Sequence, residues 1–215
     1  MCCVRSRWST RNSPRPSGGC WTRSSGIVGG IRAWLTPPDV SIVLVPYDPA
    51  WPAVFEEVAT ELREHGDPGW DIEHIGSTAI PGLSAKPVID VAVRIVDDAD
   101  FLRHRPAFET IGWRVGSGIR RHRVMVFEVG DARTRIAHFF EAHTWDDVSQ
   151  RILRDWLREH PDDVVLYERA KHAALDAARN GEQSYNAGKT KVIQLIMDKA
   201  RIDRGLAPIP VHDKS

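Results

Sequence analysis

The feature of the sequence that most constrains its fold is a strand, a glycine-serine turn and a second strand between residues 73 and 95. Residues 73–75 are predicted to end the first strand, Gly76 and Ser77 form the turn, and residues 88–95 form the second strand. The backbone N–H groups and the hydroxyl of such a turn can hold a phosphate. A carboxylate on the following strand, here Asp90, can hold a divalent cation against that phosphate. The pattern therefore predicts a phosphate site between two strands.

Asp90 is an acid within an otherwise apolar strand. Side chains of a strand alternate between its two faces, so Ile89, Val91 and Val93 should face the core. Asp90 shares the opposite face with Ala92. An unpartnered charge in such a strand is costly, which leaves two interpretations: a salt bridge or helix cap, or a ligand for a metal ion or substrate. The preceding glycine-serine turn favours the second interpretation.

The composition argues against several classes of protein. The 215 residues carry 29 Lys and Arg against 29 Asp and Glu, and this neutral balance argues against dedicated nucleic-acid binding. No apolar run approaches the roughly 18–20 residues that span a bilayer, so no membrane association is expected. All three cysteines, Cys2, Cys3 and Cys20, precede the region predicted to fold, which favours a reducing, cytoplasmic compartment.

The sequence divides into four segments. Residues 1–40 are rich in Arg and Ser with a single acid, Asp39, and are predicted to be a disordered or spurious N-terminal extension. A transit peptide is the alternative for this segment. Residues 41–145 are predicted to form an α/β core, residues 146–205 a helical subdomain, and residues 206–215 a flexible tail.

Hydrophobic periodicity predicts an α+β fold, with a mixed sheet, flanking helices on one side and a C-terminal helical subdomain. A helix is expected to begin with Asp48 as its N-cap and Pro49 at its first position, and to end at Gly66. The other predicted elements are strands at 42–45, 88–95, 123–129 and 135–142, a helix at 97–110, and about three helices after residue 146 that are separated at 160–161 and 180–181.

The segment from His74 to Leu83, followed by Lys86-Pro87-Val88-Ile89-Asp90, resembles the signature of the GrpB family, small proteins with the polymerase-beta-type nucleotidyltransferase fold. The resemblance runs from Val45 to about Ala200, and its further matches include His138, Arg154, Tyr185 and Lys189. It implies a nucleotidyltransferase core in which Gly76 and Ser77 hold the terminal phosphates of a nucleoside triphosphate. It also implies that Asp90 holds Mg²⁺ or Mn²⁺, and no organic cofactor is expected.

Active nucleotidyltransferases of this fold usually carry a second acid two residues further along the strand, where this chain has Ala92. One metal ion held by a single acid can still polarise a phosphate. Candidates for a further ligand are His138, Glu128 and Glu141. His138 shares a strand face with apolar neighbours, so a core position is the alternative for it. For Glu128, near a strand end, the alternative is a solvated surface position.

Four residues at spacings of four, three and four share one face of a predicted helix: Tyr185, Lys189, Val192 and Ile196. Lys189 is therefore a candidate contact for a triphosphate, with Tyr185 near the base or sugar. The alternative is a lysine whose stem packs on the helix while its ammonium reaches water. Arg154 is a further candidate for nucleotide binding, although its helix face could equally meet solvent.

These features predict a metal-dependent nucleotidyltransferase that transfers a nucleotidyl group from a nucleoside triphosphate to an unknown small acceptor, with Asp90, Lys189 and His138 as catalytic residues. The alternative is a non-catalytic module that binds a nucleotide or coenzyme A. Such a module would act beside dephospho-CoA kinase, to which domains that resemble this one are joined in some bacteria. The sequence identifies no protein partner.

Overall fold

A computed structural model describes residues 42–116 and 121–211 of the chain. Within these ranges, five strands, five α-helices and two short 3₁₀ turns are formed. In chain order the helices and strands are α1 (Trp51–His65), β1 (Ile72–Ile75), β2 (Ile89–Ile95), α2 (Asp98–Thr110), β3 (Arg114–Val115), β4 (Arg123–Val129), β5 (Ala132–Glu141), α3 (Ser149–Glu159), α4 (Pro161–Arg179) and α5 (Tyr185–Asp203). The extension predicted at residues 1–40 lies outside the described residues.

The strands form one mixed sheet in the order β1-β2-β5-β4-β3. The β2 and β5 strands run parallel, and the other neighbouring pairs are antiparallel. In the parallel pair, Asp90 lies opposite Ile136 and Ala92 lies opposite His138. The predicted α+β fold with a mixed sheet is therefore confirmed, and the sheet brings Asp90 and His138 onto adjacent strands.

One face of the sheet packs against α1 and α2 and forms the main core. Val91 and Val93 of β2 are fully buried there, together with Phe108 of α2. Removing a side chain of this size from water contributes roughly 1.5–3 kcal/mol. Ala92 belongs to a different buried cluster, which it shares with Phe140. The alternation predicted for β2 is therefore confirmed.

The helices α3, α4 and α5 pack on the loop that follows β1. Five buried residues make this contact: Ile80 and Leu83 of the loop, Leu157 of α3, Tyr167 of α4 and Ile196 of α5. The breaks predicted at 160–161 and 180–181 are confirmed by the ends of α3 and α4. In the described part of the chain, no helix combines the length and the apolar character that crossing a membrane requires.

The first helix begins later than the sequence predicts. It starts at Trp51 rather than Pro49, because Asp48 accepts a hydrogen bond from the N–H of Ala50 at 2.8 Å and so forms a turn ahead of the helix. The predicted end at Gly66 is confirmed.

The strand predictions need three corrections. The segment 42–45 forms only a single bridge, between Val45 and Ala85. The β5 strand begins at Ala132 rather than at residue 135, since it continues to the turn of its hairpin with β4. The β3 strand was not predicted, because two residues are too few to show an alternating pattern.

Residues 206–211 lie against α5. Gln194 donates through Nε2 to the carbonyl oxygen of Ile209 at 3.0 Å, and its Oε1 accepts from the N–H of Val211 at 2.6 Å. The segment predicted to be a flexible tail therefore has defined contacts as far as Val211.

Candidate functional site

The glycine-serine turn brings the backbone of Gly76 directly against Asp90. The β1 strand ends at Ile75, which pairs with Asp90, and Gly76 continues the chain with a positive φ of 74°. A Cβ atom added to Gly76 would lie 2.5 Å from Oδ2 of Asp90. Glycine therefore provides both the backbone conformation and the close approach of the carboxylate.

His74 and Thr78 hold the turn in place. The Thr78 hydroxyl donates to the carbonyl oxygen of Val88 at 3.1 Å and accepts from Nε2 of His74 at 2.9 Å. Burial, together with the positive charge of Arg158, lowers the pKa of His74 to about 4. His74 is therefore neutral at pH 7, and these hydrogen bonds connect β1, the turn and the residue that precedes β2.

The carboxylate of Asp90 lies next to His138, which in turn contacts His122. The Asp90 side chain is 23% exposed, and its Oδ1 lies 3.5 Å from Nε2 of His138, whose side chain is 1% exposed. Nδ1 of His138 is hydrogen-bonded to Nε2 of His122 at 2.9 Å. His138 lies opposite Ala92, the position at which active nucleotidyltransferases of this fold usually carry a second acid. The imidazole of His138 is therefore next to the position where that acid is missing.

Tyr167 of α4 connects the helical subdomain to the turn. Its side chain lies close to that of Ser77, and burial raises the pKa of Tyr167 to about 12. The negative charge of Asp90 acts in the same direction as burial. The phenol therefore stays protonated, and α4 orients the Ser77 hydroxyl beside Asp90.

Lys171 lies one helical turn beyond Tyr167 and is 1% exposed. Its ammonium donates a hydrogen bond to the carbonyl oxygen of Ser84. Burial is the main cause that lowers the pKa of Lys171 to about 7, and the positive charges of Lys189 and Lys86 act in the same direction. The three ammonium groups therefore lie close enough to repel one another.

Tyr185 lies beneath two of these ammonium groups. Nζ of Lys86 is 4.6 Å from the centroid of the Tyr185 ring, and Nζ of Lys189 is 4.5 Å from it. Tyr185 is buried, and its hydroxyl has no hydrogen-bond partner among the residues that the structure describes. A buried polar group usually has such a partner, so the three lysines and the unsatisfied phenol are suited to an anion with several charges.

Arg154 and Glu128, predicted as nucleotide and metal ligands, have protein partners. Arg154 is buried and donates to the carbonyl oxygen of His74 at 2.9 Å. Glu128 lies at the end of β4, 3.7 Å from Arg114 and 3.8 Å from Arg133. These contacts give both residues a structural role, and their roles as ligands stay predictions.

The site offers Asp90 as a donor to a metal ion, and Nε2 of His138 lies 3.5 Å from its carboxylate. Within residues 42–116 and 121–211, no group of three or more His, Cys, Asp or Glu side chains is arranged to hold a metal. Mg²⁺ commonly binds through one or two carboxylates and completes its shell with water and substrate phosphates. The Asp90 carboxylate beside the turn fits an ion bound in that way.

Among the residues of this site that the sequence did not predict are Tyr167, Lys171 and His122. Tyr167 and Lys171 are spaced i, i+4 and so share one face of α4. This spacing indicates that the two side chains lie together on the helix. It does not indicate that this face of α4 contacts the glycine-serine turn. His122 lies within a basic sequence run, residues 120–123, and such a run usually forms a solvated loop.

Known proteins are similar to this chain in sequence and in fold. The sequence model of the GrpB protein family matches residues 41–199. The UPF0157 protein PA4798 of Pseudomonas aeruginosa is 36% identical, over 79% of this chain and 72% of its own length. Dephospho-CoA kinase of Mycolicibacterium paratuberculosis is 27% identical, over 63% of this chain and 29% of the kinase. The crystal structure of the conserved protein GrpB from Enterococcus faecalis aligns with a TM-score of 0.63 and 28% identity, over 73% of this chain and 98% of that chain. The chain therefore belongs to the GrpB family.

Proposed function

We propose that this protein is a metal-dependent nucleotidyltransferase that transfers a nucleotidyl group from a nucleoside triphosphate to a small acceptor. The observation that carries the proposal is the convergence of the Gly76-Ser77 turn, Asp90 and three lysines. The turn suits a phosphate, and the lysines suit the charge of a triphosphate. A divalent cation bound at Asp90 would polarise a phosphate oxygen.

The lysines and Tyr185 are suited to act on the leaving group. Pyrophosphate gains negative charge as its bond to the transferred phosphorus breaks, and preorganised cations stabilise that charge. Lys171, whose pKa is about 7, takes up a proton as the phosphates approach. A phosphate oxygen would also supply the acceptor that the Tyr185 hydroxyl lacks among the described residues.

His138 acts as a positioning residue in this proposal, because it lies on β5 directly beside the Asp90 carboxylate. Nε2 of His138 lies 3.5 Å from Oδ1 of Asp90, and its Nδ1 is hydrogen-bonded to Nε2 of His122. The two histidines thereby orient the Asp90 carboxylate, as outer partners orient a metal ligand.

The proposed partners are small molecules, a nucleoside triphosphate and a hydroxyl or amine acceptor. The neutral net charge of the sequence favours such partners over nucleic acid. We also infer a cytoplasmic location, because all three cysteines lie within the first twenty residues and none is available to staple the folded region.

Release of pyrophosphate from ATP, GTP, CTP and UTP, with Mg²⁺ or Mn²⁺ and a panel of acceptors, tests the proposal. Asp90→Asn should lower the rate by at least about a hundredfold, because the cation loses its carboxylate. Chelation of the metal should have the same effect. Glu64→Gln, at an exposed position of α1, serves as the matched control and should leave the rate unchanged. Full activity in Asp90→Asn would overturn the proposal.

The second candidate is a module that binds a nucleotide or coenzyme A without turnover. Ala92 in place of a second acid favours it, as does the related region of a dephospho-CoA kinase. Calorimetry separates the two candidates. Binding of ATP or coenzyme A that is unaffected by a chelator, with no pyrophosphate released, supports the module; metal-dependent release of pyrophosphate supports the enzyme.

A further inference from the structure

A cavity of about 980 Å³ lies beside β1, which is an edge strand of the sheet. Its walls come from α1, from the loop after the glycine-serine turn, and from α3 and α4. Ser77, Asp90 and Lys189 do not line it. The cavity is therefore distinct from the phosphate site described above, and the proposed function does not use it.

Arg158 provides a positive charge in this cavity. Its Nε donates to the carbonyl oxygen of Ala79 at 3.0 Å, and in the described ranges no carboxylate lies within 4.0 Å of its guanidinium. Burial, together with the positive charge of Arg154, lowers the pKa of Arg158. A guanidinium whose positive charge is not balanced by a neighbouring carboxylate attracts an anion. It can bind a carboxylate or phosphate in a bidentate manner.

The acids nearest to Arg158 are already occupied by other arginines. Two carboxylates each bind two guanidinium groups: Glu73 with Arg151 and Arg154, and Asp155 with Arg154 and Arg204. These acids raise the pKa of Arg158 from a distance without pairing with it. The local excess of positive charge therefore remains at Arg158.

Aromatic rings form a flat wall of the same cavity. Phe55 and His74 stack with their centroids 4.9 Å apart and their planes 2° apart, and Tyr47 also lines the cavity. Leu157 and Val164 add apolar surface. Flat rings and apolar side chains of this kind suit a planar, apolar ligand body.

We propose that this cavity binds a small molecule in which a phosphate or carboxylate is attached to a planar, apolar body. The anionic group meets the guanidinium of Arg158, and the planar body packs against Tyr47 and Phe55. This site is separate from the one proposed for the nucleoside triphosphate.

Phenyl phosphate and benzoate are the probes, titrated into the full chain by calorimetry in the absence of nucleotide. Arg158→Gln should weaken their binding by about ten- to a hundredfold, the usual contribution of charge-assisted hydrogen bonds. Arg158→Lys keeps the charge and should restore part of the affinity. Inorganic phosphate should bind more weakly than phenyl phosphate, because it lacks the ring. The relative affinities of the two probes identify the preferred anion.

Two matched variants locate the binding. Glu56→Gln removes an exposed negative charge that lines the same cavity, and it should leave the affinity equal or higher. Lys189→Gln alters the phosphate site, and it should leave the affinity for phenyl phosphate unchanged. Circular dichroism verifies that each variant is folded.

The proposal is overturned if phenyl phosphate and benzoate both bind with a Kd above about 10 mM. It is also overturned if folded Arg158→Gln binds phenyl phosphate as well as the unmodified chain does. Loss of binding in Lys189→Gln alone would assign the probe to the phosphate site. None of these results bears on pyrophosphate release, so the failure of this proposal and the failure of the proposed function are distinguishable.

Discussion

Gly76 is the residue on which the geometry of the phosphate turn depends most directly. Its φ of 74° is uncommon for a residue with a side chain, and the carboxylate of Asp90 occupies the space that a Cβ atom would need. Gly130, in the hairpin between β4 and β5, has a φ of 61° and no atom within 4 Å of the corresponding position. A comparison of substitutions at the two glycines therefore separates the cost of backbone strain from the cost of steric conflict.

We expect Gly76→Ala to destabilise the protein by about 1–3 kcal/mol more than Gly130→Ala does, the usual cost of forcing an atom into filled space. Both variants carry the cost of a positive φ, but only the first displaces Asp90. Urea unfolding followed by tryptophan fluorescence measures the difference. Equal losses of stability would show that Asp90 moves aside without cost.

Lys171 should make the binding of pyrophosphate dependent on protons. Its pKa of about 7 leaves it roughly half protonated at pH 7, and a bound anion raises that pKa. The unmodified chain should therefore take up about half a proton more than Lys171→Met does when pyrophosphate binds at pH 7. Calorimetry in buffers of different ionisation enthalpy measures this uptake. Equal uptake by both proteins would contradict the assignment.

Single residues of the site differ in how far the sequence reveals them. Gly76, Ser77 and Asp90 were predictable, because a turn and a lone acid in an apolar strand are local patterns. Lys171 was not, since a lysine on a helix is normally exposed. Its burial follows from the loop that α4 meets at Ser84, which is information about tertiary packing.

At the scale of helices and strands, the approach of α4 to α5 positions the lysines. A Cβ atom on Gly188 would lie 2.7 Å from Cβ of Ala174, so the two helices approach each other closely at this pair. Lys189 is the next residue along α5. The small size of Gly188 and Ala174 therefore sets the distance between the ammonium groups of α4 and α5.

Gly188→Ala should destabilise the protein, although alanine favours a helix by about 1 kcal/mol over glycine. The added methyl group separates α5 from α4, and the affinity for pyrophosphate should fall because Lys189 moves with α5. Urea unfolding and calorimetry measure the two effects, with Leu195→Ala on the exposed face of α5 as the control. A gain in stability with unchanged affinity would disprove the packing argument.

The start of a helix can be harder to predict from sequence than a break between two helices. An aspartate followed by proline is typical of a helix start, but Asp48 serves a turn that precedes the helix. Both roles use the same side-chain oxygen as an acceptor for a backbone N–H. The sequence around Asp48 therefore cannot distinguish them, whereas the breaks at 160–161 and 180–181 interrupt helical periodicity and were predictable.

At the scale of the whole molecule, the alternation of β2 predicted which face is buried but not which strand lies beside it. Any apolar strand satisfies the same pattern, so the neighbour of β2 is decided by how the complete sheet packs on α1 and α2. The structure places β5 there, in parallel register. The contact between Asp90 and His138 was therefore beyond the reach of the sequence.

The parallel pairing of β2 with β5 also affects the order of folding. These strands are far apart in the chain, so joining them costs loop-closure entropy before their contacts contribute. The hairpin of β4 and β5 is local and can form earlier. We therefore expect Asp90 to meet His138 late in folding, so that a ligand at Asp90 recognises only the completed sheet. In stopped-flow experiments, such a ligand should slow unfolding and leave the rate of folding unchanged.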